Sequence, residues 1–278
     1  MRGNAADWRS RRLPGPEWHL GTLASVIPLA DSIFLANVKN MSIEPNIVRY
    51  TYHIGGKQMK FDIRTSGADE TAEEIAAGDF PEWTKLEHEQ CACCPLKTEN
   101  HSHCPAAIRM HEVLETFKDF KSIERVHLSV ETERRTYIQD CDLQSSLNSM
   151  LGLLMATSGC PVVGKLRAMA TFHTPFCSLD ETLYRSVGAY LTKQYFAKQE
   201  GKEPDWELNG LKESYEELEQ LNKAFAERIR SIERSDAISN AMVIFFATSI
   251  MVASALEEKL EEYKDYFTGE SATPPQGG

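Results

Sequence analysis

A cluster of cysteines constrains this chain more than any other feature of its sequence. Four of the seven cysteines fall at positions 91, 93, 94 and 104. An odd number of cysteines in a chain of 278 residues is not typical of a secreted disulfide framework. Clustered cysteines in a reducing compartment more often bind metal or carry out redox chemistry. Because this stretch holds few large apolar side chains, we expect a bound metal ion to fix its conformation.

The spacing of the cysteines predicts which of them share one ion. Cys91 and Cys94 form a C-x2-C knuckle, in which two thiolates can point at the same metal. The loop up to Cys104 is long enough to return a third sulfur to that metal. A closed structural zinc site needs four ligands. The spacing leaves the fourth ligand open among His88, His101, His103, Cys93 and Cys160.

Zinc is the predicted metal, and the predicted role is a structural site in an interaction or regulatory protein. Cys is followed by Pro at 94–95, 104–105 and 160–161, a pairing typical of cluster-binding runs. The alternative is therefore a 4Fe–4S cluster or thiol-redox protein that uses Cys91, Cys94, Cys104 and Cys160. A second alternative is a thiol enzyme with Cys160 as nucleophile and His173 as base. Whether the chain is an enzyme stays open at this point.

Two alternating apolar patterns predict two β-hairpins. Val48, Tyr50, Tyr52 and Ile54 share one face, and Gly55-Gly56 precedes a second alternating run. Glycine pairs supply the positive φ angles of tight hairpin turns. The other hairpin is predicted from an alternating run over 123–132 that turns back over 135–139.

Helical patterns fill the remainder of the chain. We predict helices over about 105–120, 142–158, 178–199, 209–233 and 235–267, and a short one at 70–77. Asp142 is a candidate N-cap, and Ser178 with Glu181 forms a capping box. The predicted fold class is therefore α+β and mainly helical, with two β-hairpins and the Cys-rich loop packed on a bundle of about five helices. We predict one domain over 41–267, a disordered or misannotated extension over 1–40, and a disordered tail over 268–278.

Charge and hydropathy limit the partners of this chain. Its net charge of −11 is a poor match for nucleic acid or anionic lipid, so neither is an expected partner. Residues 237–256 carry no charge and have the length of a membrane span. Polar residues and acidic flanks favour instead a helix buried in the bundle or in a homodimer interface. We therefore expect a soluble, cytoplasmic protein with a protein partner or a second copy, and no membrane.

Longer motifs resemble an uncharacterised family of bacterial proteins, a domain of unknown function. The resemblance runs from about Arg49 to Phe267. Its motifs are Trp83 to Glu87, Gln90 to Leu96, His103 to Ala107, Leu153 to Pro161, Phe172 to Phe176, Glu181 to Arg185 and Pro204 to Trp206. The resemblance implies a bacterial, cytoplasmic protein and no particular activity. It also links Cys160 to the first three cysteines as the fourth ligand, whereas Cys93, Cys141 and Cys177 lie outside its motifs.

Overall fold

A four-stranded antiparallel sheet forms one layer of the protein. The computed structural model describes residues 46–65, 79–232 and 236–269. Strands β1 (Ile47–Ile54), β2 (Lys57–Arg64), β3 (Arg125–Glu131) and β4 (Thr136–Asp142) lie in the order β2-β1-β3-β4. Both predicted hairpins are therefore confirmed, and they share one sheet through the pairing of β1 with β3.

The alternating pattern of the strands sets which face of the sheet is buried. Tyr50 and Tyr52 are fully buried on β1, where Tyr50 pairs with Phe61 on one side and Val130 on the other. Gly55 and Gly56 have φ angles of 56° and 74°, which the tight β1–β2 turn requires and which side chains disfavour. The opposite face carries polar side chains such as the Arg49–Asp62 ion pair.

Six helices in the described part of the chain form the other layer. They are α1 (Pro105–Phe117), α2 (Leu143–Ala156), α3 (Arg167–Thr171), α4 (Leu179–Gln199), α5 (Asn209–Arg230) and α6 (Asp236–Thr268). Short 3-10 turns cover Glu82–Thr84 and Val163–Leu166.

Helices α2 and α4 begin at the cap residues that the sequence predicts. The Asp142 carboxylate accepts a hydrogen bond from the Ser145 amide at 2.9 Å and so begins α2. Ser178 and Glu181 form the reciprocal capping box of α4. The predicted α+β, mainly helical class is confirmed. The predicted N-terminal extension, the helix at 70–77 and residues 270–278 of the predicted tail lie outside the described residues.

Helix α6 is apolar on two sides, and only one of them is packed. Ala237, Ile238, Ala241 and Val252 are buried against the other helices, chiefly α2 and α5. Val243, Ile250 and Met251 expose 60%, 49% and 44% of their surface. The helix is long and apolar enough to cross a bilayer, a property that core helices of soluble proteins share. The prediction of a helix buried on all sides is therefore only partly met within this chain.

Candidate metal centre

A backbone clasp holds the two ends of the Cys-rich loop together. The Leu86 amide donates to the Ser102 carbonyl at 3.0 Å, and the Cys104 amide donates to the Thr84 carbonyl at 2.7 Å. Lys85 and His103 form an isolated antiparallel bridge between them. Cys104 is therefore fixed as the N-cap of α1, directly before Pro105 at the first helical position.

The C-x2-C knuckle closes as a turn inside this clasp. The Cys94 amide donates to the Cys91 carbonyl at 3.0 Å, and the Gln90 side chain donates to the Leu96 carbonyl at 3.0 Å. Cys91 and Cys94 are half-buried and pack against the hydrophobic core. The turn therefore presents two thiols to the protein interior.

Cys160 lies in a separate segment of the chain, four residues after the end of α2. Gly159 has a φ of 83°, which turns the chain sharply before Cys160. Amides of Val162 and Val163 hydrogen bond to the Cys160 sulfur and partly offset the rise in its pKa. The Cys104 sulfur is held in the same way by amides of Ala106 and Ala107, which lower its pKa against the larger effect of burial. Amide donors of this kind stabilise a thiolate over a thiol.

Electrostatics link the cysteines of the knuckle with Cys104 and Cys160. Burial, together with negative charge on Cys104, Cys93, Cys160 and Cys94, raises the pKa of Cys91 to about 12. Burial is also the main cause that raises the pKa of Cys160 to about 11, and Cys104 and Cys94 contribute to that rise. Cys91, Cys94, Cys104 and Cys160 therefore lie within electrostatic reach of one another, although they come from three separate segments.

A buried arginine borders this thiol cluster. Arg228 on α5 is 1% exposed, and its guanidinium donates to the carbonyls of Trp83 (2.6 Å), Lys85 (2.7 Å) and Leu86 (3.4 Å). Desolvation lowers the pKa of Arg228, whereas negative charge on Cys104, Cys91 and other groups opposes that change. No ion pair with a carboxylate is found for Arg228 among the residues described. Its charge is therefore balanced by carbonyl dipoles, by the nearby cysteines and, without a direct ion pair among the described residues, by Glu89.

The arrangement of the thiols is not itself a finished ligand set. Over residues 46–65, 79–232 and 236–269, no three His, Cys, Asp or Glu side chains form a group that could hold a metal ion. The metal prediction therefore stays a prediction.

Other candidate ligands make contacts elsewhere. His88 Nε2 lies 2.8 Å from Ser231 Oγ, and His103 Nδ1 lies 2.8 Å from Ser102 Oγ. The Cys93 thiol donates to the Glu217 carbonyl at 3.4 Å. His101 is half-buried on the loop. Among the alternatives for the fourth ligand, Cys93 has a larger electrostatic effect on the pKa of Cys91 than Cys160 has, whereas the pKa of Cys160 is itself influenced by Cys104 and Cys94.

The predicted pair of Cys160 and His173 is not joined by a hydrogen bond among the residues described. His173 Nε2 instead lies 2.6 Å from the Tyr50 hydroxyl, which lies 3.0 Å from Ser149 Oγ. Burial, and secondarily the charge of Arg185, lowers the pKa of His173 to about 3. The thiol-enzyme alternative therefore has no geometric support from this side chain.

Sequence reasoning missed Arg228, although a pattern for it is present. Leu218, Leu221 and Phe225 recur at helical spacing along the buried face of α5, and Arg228 is the next position on that face. A basic residue on an apolar face is an exception that calls for a partner. The Tyr50–His173 contact joins residues 123 positions apart, and no local pattern indicates it.

Comparison with known proteins identifies the family of the chain. No curated protein and no solved structure matches it. The model of one family, described as a domain of unknown function (DUF6901), matches residues 47–268. The matched range includes both hairpins, the thiol cluster and all six helices described above. The chain therefore belongs to the DUF6901 family, as the resemblance of its motifs indicates.

Proposed function

We propose that Cys91, Cys94, Cys104 and Cys160 bind one zinc ion, and that this centre fastens the Cys-rich loop to the helical bundle. The observation that carries the proposal is the mutual electrostatic influence of four thiols from three segments, with the buried Arg228 within reach of their charge.

The charge of the proposed centre gives Arg228 a role. Zinc with four thiolates carries a net charge of −2, which is costly to bury without compensation. The Arg228 guanidinium offsets part of that charge, and the amides at Cys104 and Cys160 donate to the sulfurs. Such outer-shell groups orient ligands and tune a metal site.

A centre at this position would have a structural role. The clasp joins the loop to the start of α1, and Cys160 adds the end of α2. A metal bound to all four sulfurs would therefore link the loop to two helices that pack on the sheet. We propose that this chain is an interaction or regulatory protein. The metal would hold the loop in place and would take no part in a reaction.

Two buried cysteines provide a matched test. Cys160 and Cys141 are 6% and 8% exposed, but the charged groups that influence the pKa of Cys141 are Asp142, Arg125 and Asp140. Replacing a buried thiol by a hydroxyl costs about 1–3 kcal/mol at either site. Cys160→Ser should cost at least about 3 kcal/mol more than Cys141→Ser, because it also removes a metal ligand. Denaturant unfolding measures both values.

Elemental analysis of the same proteins identifies the metal. We expect one zinc per chain in the wild type and in Cys141→Ser, and none in Cys91→Ser or Cys160→Ser. If the protein is coloured and contains iron, the result supports the iron–sulfur alternative instead of zinc. Wild-type protein purified without chelators that holds neither metal, together with equal costs for the two serine variants, would reject the metal centre.

A further inference from the structure

A second region with the features of a binding site lies between α2 and the helices that follow it in the chain. A cavity of about 190 Å³ lies among helices α2, α3, α4, α5 and α6. An apolar cavity of roughly 150 Å³ is large enough to take up benzene. The cavity therefore has room for a molecule the size of a substituted benzene ring. It shares no residue with the four proposed metal ligands.

Most of the cavity wall is apolar. The apolar residues include Leu153, Ala156, Leu166, Met169, Phe176 and Phe245. Sites for small organic ligands typically combine such a wall with a few converging polar groups. The body of a ligand in this cavity would therefore be aromatic or aliphatic.

One group of polar side chains at the cavity is neutral. Ser149, Tyr50 and His173 form a hydrogen-bonded series, and Ser149 and His173 line the cavity. Burial raises the pKa of Tyr50, and the pKa of His173 falls to about 3. Near pH 7 the phenol keeps its proton and the imidazole is neutral. These groups offer hydrogen bonds to a ligand but no charge.

Arg185 is the one formally charged residue among the described residues that line the cavity. Its Nη1 donates to Cys177 Sγ at 3.3 Å, and its Nη2 donates to the carbonyls of Met169 and Phe172 at 2.8 and 3.0 Å. A guanidinium has five N–H groups, and these contacts use three of them. Two donors and the positive charge therefore stay available in the part of the chain that the structure describes.

Nearby acidic groups do not neutralise Arg185. Glu181 is close enough to raise the pKa of Cys177, but its carboxylate accepts from the Ser178 amide at the N-terminus of α4. Glu181 does not line the cavity, and no ion pair between it and Arg185 is found among the residues described. The cavity thus combines an apolar wall with one positive charge that has no carboxylate partner in the described ranges.

We propose that this cavity binds a small organic monocarboxylate with an aromatic or short aliphatic body. The carboxylate would accept from the Arg185 guanidinium, since charge-assisted bonds of this kind are stronger than bonds between neutral groups. Ser149 and His173 supply further hydrogen bonds, and the apolar wall covers the body of the ligand.

Three probes of nearly one shape test the charge preference on the unmodified full chain. Benzoate, benzamide and benzamidinium are planar and similar in size, and carry charges of −1, 0 and +1. Calorimetry or NMR titration should give benzoate an affinity at least about tenfold above that of benzamide, the effect of one charge-assisted interaction. Benzamidinium should show no binding. Equal affinity for benzoate and benzamide, or no binding of benzoate at millimolar concentration, would overturn the proposal.

Two pairs of variants locate the site. Thr248 on α6 lines the cavity, whereas Thr192 on α4 is exposed, and each hydroxyl donates to the carbonyl four residues earlier. Thr248→Phe should abolish benzoate binding, and Thr192→Phe should leave it unchanged. Arg185→Gln should remove the preference for benzoate over benzamide, and Arg185→Lys should keep part of it. Benzoate binding that survives Thr248→Phe in a folded protein places the ligand elsewhere and contradicts the inference.

The result is separable from the test of the metal centre. Zinc content reports on the four cysteines, and the benzoate series reports on the cavity. Loss of zinc with intact benzoate binding would reject only the metal proposal, and the reverse outcome would reject only the ligand proposal.

Discussion

The neutral state of His173 makes a quantitative prediction about stability and pH. Its Nε2 lies 2.6 Å from the Tyr50 hydroxyl, and the Arg185 charge is close enough to oppose protonation. Burial is the main cause that lowers its pKa to about 3, from about 6.5 in an unfolded chain. The unfolded chain therefore binds a proton between these values that the folded protein does not bind.

The size of the effect follows from proton linkage. A pKa lowered on folding contributes stability that is complete above about pH 6.5 and is lost as the pH falls toward 3. Between pH 7 and pH 5 the difference in protonation lowers the free energy of unfolding by about 2 kcal/mol. This window lies above the range in which most carboxylates titrate.

Urea unfolding at several pH values between 7 and 5 measures this loss. His173→Gln keeps a polar side chain without a proton to titrate, so its stability should depend less on pH. The stability difference between wild type and His173→Gln should narrow by about 2 kcal/mol as the pH falls from 7 to 5. A difference that stays constant over this range would refute the assignment of a buried, neutral imidazole.

Two further predictions concern the thiol cluster and the helical layer. Arg228→Met should lower the free energy of unfolding by on the order of 3 kcal/mol, since it leaves the Trp83 and Lys85 carbonyls without their charged donor. Arg228→Lys should recover only part of that loss, because an ammonium group lacks the planar set of donors that bonds several carbonyls at once. Equal stability of Arg228→Met and Arg228→Lys would contradict this role. Asp142→Ala should cost about 1 kcal/mol in denaturant unfolding by removing the N-cap of α2, and Asp142→Ser should restore most of it. If Asp142→Ala left the free energy of unfolding unchanged, packing alone would explain where this helix begins.

Local chemistry explains why much of the fold can be predicted. The period of two in β1 and the glycine pair after it define the first hairpin without reference to the remainder of the chain. Asp142, Ser178 and Glu181 act on amides at most three residues away, so they mark the starts of α2 and α4. The C-x2-C spacing likewise closes a local turn between Cys91 and Cys94.

Contacts between distant residues are decided only by the tertiary structure. Packing brings Cys160 within electrostatic reach of the first three cysteines, places Arg228 against carbonyls more than 140 positions away, and joins Tyr50 to His173. The cavity around Arg185 depends on five helices that no local pattern orients. Turns, caps and alternating faces are stabilised by neighbours in the chain, so the sequence alone determines them. Burial, charge compensation and cavities depend on which faces meet, and only the packed structure determines that.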